Sequence, residues 1–198
     1  KSEKKAGAQD QWGIRKVGFL PRDIANSAWN VEDGSAKNVV VAVIDSGLDT
    51  THVDGPQYLW ANSGEVPGNK LDDDGNGYVD DVAGWNFLDH NSDLTDTRGH
   101  GTFVSGIIAA KTNNNEGIAG INPGAQIMVL KVSDAYGNTN SLDIWRALHY
   151  AADKGAKIIN ISLGDKGMTQ LEQLGINYAY SKGALIIVAA GNQGSYVS

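Results

Sequence analysis

The run Asn38-Val39-Val40-Val41-Ala42-Val43-Ile44 is a nearly unbroken β-branched stretch with no polar alternation. A strand with one wet face alternates apolar and polar side chains, so this run predicts a strand buried on both faces, as in a parallel sheet covered by helices. Residues 125–132, 157–164 and 184–190 read the same way. Between them lie helical patterns. Residues 142–153 carry an apolar face of Ile144, Ala147, Leu148 and Ala151, with Ser141 as N-cap and Gly155 as a stop. Residues 169–182 place Leu171, Leu174, Ile176 and Tyr178 inward and close at Gly183. Pro21 to Trp29 reads as a further short helix. Strand, helix, strand, helix, strand implies right-handed crossovers and an α/β fold with a parallel sheet flanked by helices.

The first strand stops at Asp45-Ser46-Gly47, and functional sites in open α/β sheets collect at the carboxyl ends of strands. An aspartate at such a corner also caps turns. Arg98 to Ala110 predicts a helix with His100 at its head and Val104, Ile107 and Ile108 at helical spacing. Gly101, Ser105, Gly106, Ala109 and Ala110 allow close packing of that helix. Histidine titrates nearest neutrality, which suits proton transfer, although a lone histidine can equally be a core residue. The last strand ends at Gly191-Asn192, where a side-chain amide would stand at a sharp corner. An orienting carboxylate, a general base and an amide donor for an oxyanion are thus all offered at element ends.

Composition narrows the function classes. The net charge of −7 argues against a nucleic-acid partner held through phosphates. The absence of cysteine excludes a disulfide framework and a thiol nucleophile. The longest apolar run, Ala184 to Ala190, is too short to span a bilayer, so no membrane partner is expected. Lys1 to Ala8 reads as a polar, flexible terminus without a signal peptide. Residues 62–93 form a polar, glycine-rich acidic insertion. Within it Asp72, Asp74 and Asn76 match the start of a calcium loop, and Tyr78 and Asp80 continue the same alternate-position register. No glutamate stands at the loop's twelfth position, which excludes an EF-hand and leaves a different calcium loop or a solvated acidic hairpin.

Val43-Ile44-Asp45-Ser46-Gly47, Gly99-His100-Gly101-Thr102 and Ala189-Ala190-Gly191-Asn192 resemble three hallmark blocks of the subtilisin-like serine proteases, in the family's order and on the expected elements. The resemblance runs from about Gln9 onward. It implies a three-layer subtilisin-like fold and peptide-bond hydrolysis through an Asp-His-Ser triad. Asp45 would orient the base, His100 would act as base and then acid, and Asn192 would donate to the oxyanion. Ser162, Leu163 and Gly164 resemble a substrate-binding strand, and Ala189, Ala190 and Gly191 a pocket wall. Gly137 falls near the opposite edge, so an extended peptide or protein substrate would lie between two strands. The family also implies a calcium site with Asp54 as carboxylate ligand. Thr112, Asn114, Glu116 and Ile118 would wrap the ion, and Gln9 would close it.

The chain contains no block of the family's nucleophile type: Ser195 and Ser198 lie in the wrong place. The expectation is therefore an N-terminal portion of one catalytic domain, residues 1–198, truncated before the serine. It would be inactive alone and would pair with a C-terminal fragment of the same protease, which would be secreted. The alternative is a non-catalytic module of the same fold that binds peptides or calcium. Phe103 stands where the family pattern has a histidine, implying altered packing below the base.

Overall fold

The computed structural model describes residues 11–19, 27–31, 34, 39–164 and 167–192. Strand β1 (Val40–Asp45) lies at the centre of a six-stranded sheet. It pairs in parallel with β4 (Gln126–Lys131) on one side and β5 (Ile158–Ile161) on the other. Beyond β5 lies β6 (Leu185–Val188), also parallel. Beyond β4 the edge is shared by two short parallel strands, β2 (Tyr58–Leu59) and β3 (Gly84–Asn86), which follow one another along it.

The absence of alternation in β1 has a direct cause. Val41 and Val43 pack with Leu48, Ala109, Ile127 and Val129 on one face. Ala42 and Ile44 pack with Met128, Leu130, Leu148 and Ile159 on the other. Helix α2 (His100–Ala109) covers the first face. Helix α3 (Ser141–Asp153) covers the second and packs against α4 (Gln170–Ser181), which gives three layers. A short helix α1 (Trp12–Lys16) buries Ile14 in a satellite cluster with Trp29 and Ala119.

Several local expectations change. The N-cap of α3 is Asn140, whose side chain accepts from the Asp143 N–H at 2.9 Å, and Ser141 is the first helical residue. Helix α4 starts with a capping box, Thr169 and Glu172 each accepting from the other's backbone. Leu174 does not face inward but is 59% exposed, while Gly175 and Ala179 are the buried positions. The small residues win there because α4 lies close against the bulky side chains of α3. Of the helix expected over 21–29, Ala28–Asn30 is a 3-10 turn, while residues 21–26 lie outside the described set, as does Lys1 to Ala8. The insertion is not wholly irregular, since it contributes β3. Leu185, Ile187 and Val188 of the β6 edge strand are all exposed.

Gly84 shows how tightly the insertion is stitched to the sheet. Its φ is +135°, and a methyl group there would lie 1.8 Å from the Val129 carbonyl oxygen. Gly84→Ala is expected to cost about 3 kcal/mol or more, since strain and overpacking act together. Thermal unfolding measures this, and an unchanged midpoint would contradict the observed packing.

Candidate active site

Parallel pairing delivers the carboxyl ends of β1, β4, β5 and β6 to one rim of the sheet. Asp45 closes β1 there and is 1% exposed. His100 opens α2 above it, after Gly99 in the left-handed region at φ +85°. The imidazole Nδ1 lies 2.8 Å and 2.9 Å from the two carboxylate oxygens of Asp45. A carboxylate at Nδ1 holds the proton on that nitrogen and leaves Nε2 with its lone pair. The histidine side chain is 36% exposed, so the pair is anchored in the core and open at one end.

The close approach depends on Gly101. A methyl group there would lie 2.3 Å from the Gly47 carbonyl oxygen and 3.2 Å from Asp45 Cβ. The missing side chain lets the first turn of α2 press onto the Asp45 corner. The Ser46 N–H donates to Asp45 Oδ1 at 2.7 Å, and the Gly101 N–H donates to Ser46 Oγ at 3.0 Å.

Asp96, which sequence reasoning missed, ties both sides of the pair together. Its Oδ1 accepts from Ser46 Oγ at 2.9 Å, Arg98 N–H at 3.0 Å and Gly99 N–H at 2.8 Å. Its Oδ2 accepts from the Thr102 N–H at 2.9 Å and the Thr102 hydroxyl at 2.7 Å. Thr102 Oγ1 in turn accepts from the Asp49 N–H at 2.9 Å. Burial pushes the Asp96 carboxyl up, but the bonds from Thr102, Gly99 and Ser46 outweigh it and hold the group below its ordinary 3.8. The signal in the sequence was an aspartate just ahead of a helix start, with a threonine in the first turn.

The other rim residues sort by element. Ser162 and Leu163 are half-buried just past β5, and Gly164 beside them is exposed. Ala189, Ala190, Gly191 and Asn192 leave the end of β6 exposed to solvent, with Gly191 at φ +81°. The Ala189 N–H still pairs with the Ile161 carbonyl at 3.0 Å. Gly137 sits at φ +88° in the loop that leaves β4. Phe103 does not pack beneath the base: it is 64% exposed on the outer face of α2, where small buried residues occupy the inner one.

Two groups of oxygen donors lie away from the rim. Asp54 is buried at 6% exposure, with Oδ1 accepting from Asn114 Nδ2 at 3.0 Å and Oδ2 from the Ile118 N–H at 2.6 Å. Thr112 is half-buried and Glu116 exposed on the same loop. Gln9 lies outside the described residues, but Gln11 docks on this loop, its amide bonding both the N–H and the carbonyl of Ala119. In the acidic insertion, ligand atoms of Glu65, Asp74 and Asp81 lie within 4.8 Å of one another. Of the residues singled out from sequence, Asp74 belongs to this cluster, and Asn76 touches it through its amide bond to Asp81 at 2.9 Å. Asp72 turns back to the N–H groups of Asn76 and Gly77, and Asp80 to those of Gly68 and Lys70. The Tyr78 ring packs against Trp85, Phe87 and Tyr150.

The cluster is clasped to α3. The Lys154 ammonium donates to Asp74, and the Tyr150 hydroxyl donates to the fully buried Asp81 at 2.5 Å. Burial, the Asp81 bond and nearby negative charge push the Tyr150 hydroxyl far up, so it stays a donor. Glu65, Asp81, Tyr150 and Lys154 carried no local signal, because their meeting is a tertiary event.

Tyr150→Phe should destabilise the protein by about 1–3 kcal/mol, since it leaves a buried carboxylate short of a donor. Chemical denaturation measures this, and a loss within error of zero would contradict the clasp. Asp96→Asn tests the strap through pH. Because the folded-state pKa of Asp96 is depressed, its stabilisation is complete above 3.8 and is lost as pH falls through the lower folded value. The stability gap between wild type and Asp96→Asn should therefore be widest at neutral pH and close below 3.8. A gap independent of pH would contradict this assignment.

A family model described as the subtilase family matches residues 36–198. The chain is 39% identical over 168 residues to the thermophilic serine proteinase of Bacillus sp. (strain AK1), covering 85% of this chain and 36% of that protein. It is 37% identical over 186 residues to thermitase of Thermoactinomyces vulgaris, covering 93% of this chain and 56% of thermitase. With the cell wall-associated protease of Bacillus subtilis (strain 168) the identity is 36% over 157 residues, 79% of this chain and 15% of that protein. The chain thus spans about a third to just over half the length of the first two relatives. With a parallel α/β sheet that brings an aspartate and a histidine together at its carboxyl rim, the chain belongs to the subtilase family.

Proposed function

We propose that this chain is part of a serine endopeptidase of the subtilisin type. The observation that carries the reading is the 2.8 Å bond between His100 Nδ1 and the buried carboxylate of Asp45. Asp45 keeps the proton on Nδ1, so Nε2 faces outward as a base. Nε2 takes the proton of a serine hydroxyl as it attacks the peptide carbonyl, and the resulting imidazolium rests against the Asp45 carboxylate. His100 then returns the proton to the leaving amine. Asn192 donates its side-chain amide to the oxyanion, a contribution of about 2.7–4 kcal/mol for this donor in subtilisin itself. The serine belongs to a part of the protein outside residues 1–198, with which this chain would pair.

The substrate is an extended peptide or protein. It lies between the edge of Ser162, Leu163 and Gly164 and the edge at Gly137, with Ala189, Ala190 and Gly191 walling a roomy apolar pocket. The acidic charge balance disfavours a nucleic-acid partner, and no helix among the described residues is long and apolar enough to cross a membrane. The likeness to a cell wall-associated protease supports secretion.

Calcium fits both oxygen clusters, because hard oxygen donors dominate each. The buried Asp54 carboxylate with Asn114 and the loop 112–118 forms one, and Glu65, Asp74 and Asp81 the other. In the second, three carboxylates face one ammonium, which leaves negative charge for a divalent ion to balance. Bound there, calcium would pin the two loops and take no part in the hydrolysis.

In the full-length protein, His100→Ala should reduce peptide hydrolysis by several orders of magnitude while the fold persists. Unchanged turnover would end the mechanism. Chelation of calcium should lower the unfolding midpoint. A midpoint that does not move would count against both ion sites.

A further inference from the structure

The head of α2 carries a cation that the reaction itself does not use. Arg98 stands two residues before His100, and its N–H donates to Asp96 Oδ1 at 3.0 Å, so the backbone there is fixed. Its guanidinium reaches across to the loop that leaves β4. A methyl group on Gly137 would lie 2.0 Å from Arg98 Nη1, 2.6 Å from Cζ and 2.9 Å from Nη2, so the guanidinium rests directly on that glycine. The loop begins just past Lys131, the residue paired in register with Asp45. Arg98 therefore bridges the start of α2, where His100 opens to solvent, and the loop that leaves β4.

The guanidinium belongs to an acidic chain and yet pairs with no carboxylate among the described residues. The chain has 23 acidic against 16 basic residues. Asp96 directs both oxygens to its five donors. Asp134, in the same loop as Gly137, turns its oxygens to the Tyr136 and Asn138 N–H groups and to Asn138 Nδ2. An exposed guanidinium presents a planar fork that matches a carboxylate in two parallel bonds.

We propose that Arg98 is a specificity-determining residue that binds an aspartate or glutamate side chain of the substrate on the acyl side of the scissile bond. This rests on the endopeptidase reading and extends it to a substrate class: proteins cut after acidic segments. The fork selects a carboxylate over its isosteric amide, because an amide brings an N–H group against a site made only of donors.

The test uses the full-length protein and peptides that differ only in one of the two residues preceding the cleaved bond. At low salt, kcat/KM should favour Asp or Glu over Asn or Gln by about tenfold or more, and added salt should shrink the ratio. Arg98→Glu should reverse the order in favour of Lys, and Arg98→Lys should keep its sign at a smaller ratio. A wild-type ratio near one, or an acid preference that survives Arg98→Glu, overturns the proposal. Fluorescence anisotropy of the same peptides on His100→Ala protein reads the contact without turnover. Acidic peptides should bind more tightly there, and lose that advantage when Arg98→Glu is added. Equal binding overturns the Arg98 contact. Failure of wild type to cut any peptide, with binding still selective, overturns the endopeptidase reading alone.

Discussion

Everything at the rim depends on one contact between a buried carboxylate and an imidazole 55 positions away in the chain. Asp45 is 1% exposed, and a buried carboxylate needs hydrogen-bond donors. His100 Nδ1 and the Ser46 N–H supply them. The histidine therefore completes the core at one nitrogen and faces solvent with the other.

Holding that contact is a task shared by three kinds of structure. The parallel sheet fixes the height of Asp45 through its register with Lys131 in β4. Gly101 removes the bulk that would lift α2 off the corner. Asp96 fastens the Ser46 corner to the first turn of the helix with five bonds. The acidic insertion repeats the theme at a distance, where buried Asp81 takes donors from Asn62, Asn76 and Tyr150. In both places a carboxylate organises irregular backbone that has no core of its own.

The layer architecture was legible because Val39 to Ile44 cannot be half-solvated and because helical and strand periods alternate cleanly after it. Asp45 and His100 were legible as candidates from short blocks around them. Other features were not. Tyr150 and Lys154 act through partners 69 and 80 positions away, and no local pattern announces such meetings. The alternate-position register of Asp72, Asp74, Asn76, Tyr78 and Asp80 suggested one ring of ligands. The structure instead gathers Asp74 with Glu65 and Asp81, because Asp72 and Asp80 serve the turns of their own loop. Period alone places Leu174 inward, but the tight fit of α4 against α3 leaves Gly175 and Ala179 as its buried positions, with Ile176 and Tyr178 half-buried against the core.

The most direct measurement of the central contact is nitrogen-resolved NMR of the His100 ring, recorded where the imidazole is neutral. The geometry requires the proton on Nδ1, with a slowly exchanging, strongly downfield signal that disappears in Asp45→Asn. A ring protonated chiefly on Nε2 in the wild-type protein, or an Nδ1 proton indifferent to Asp45→Asn, would contradict it.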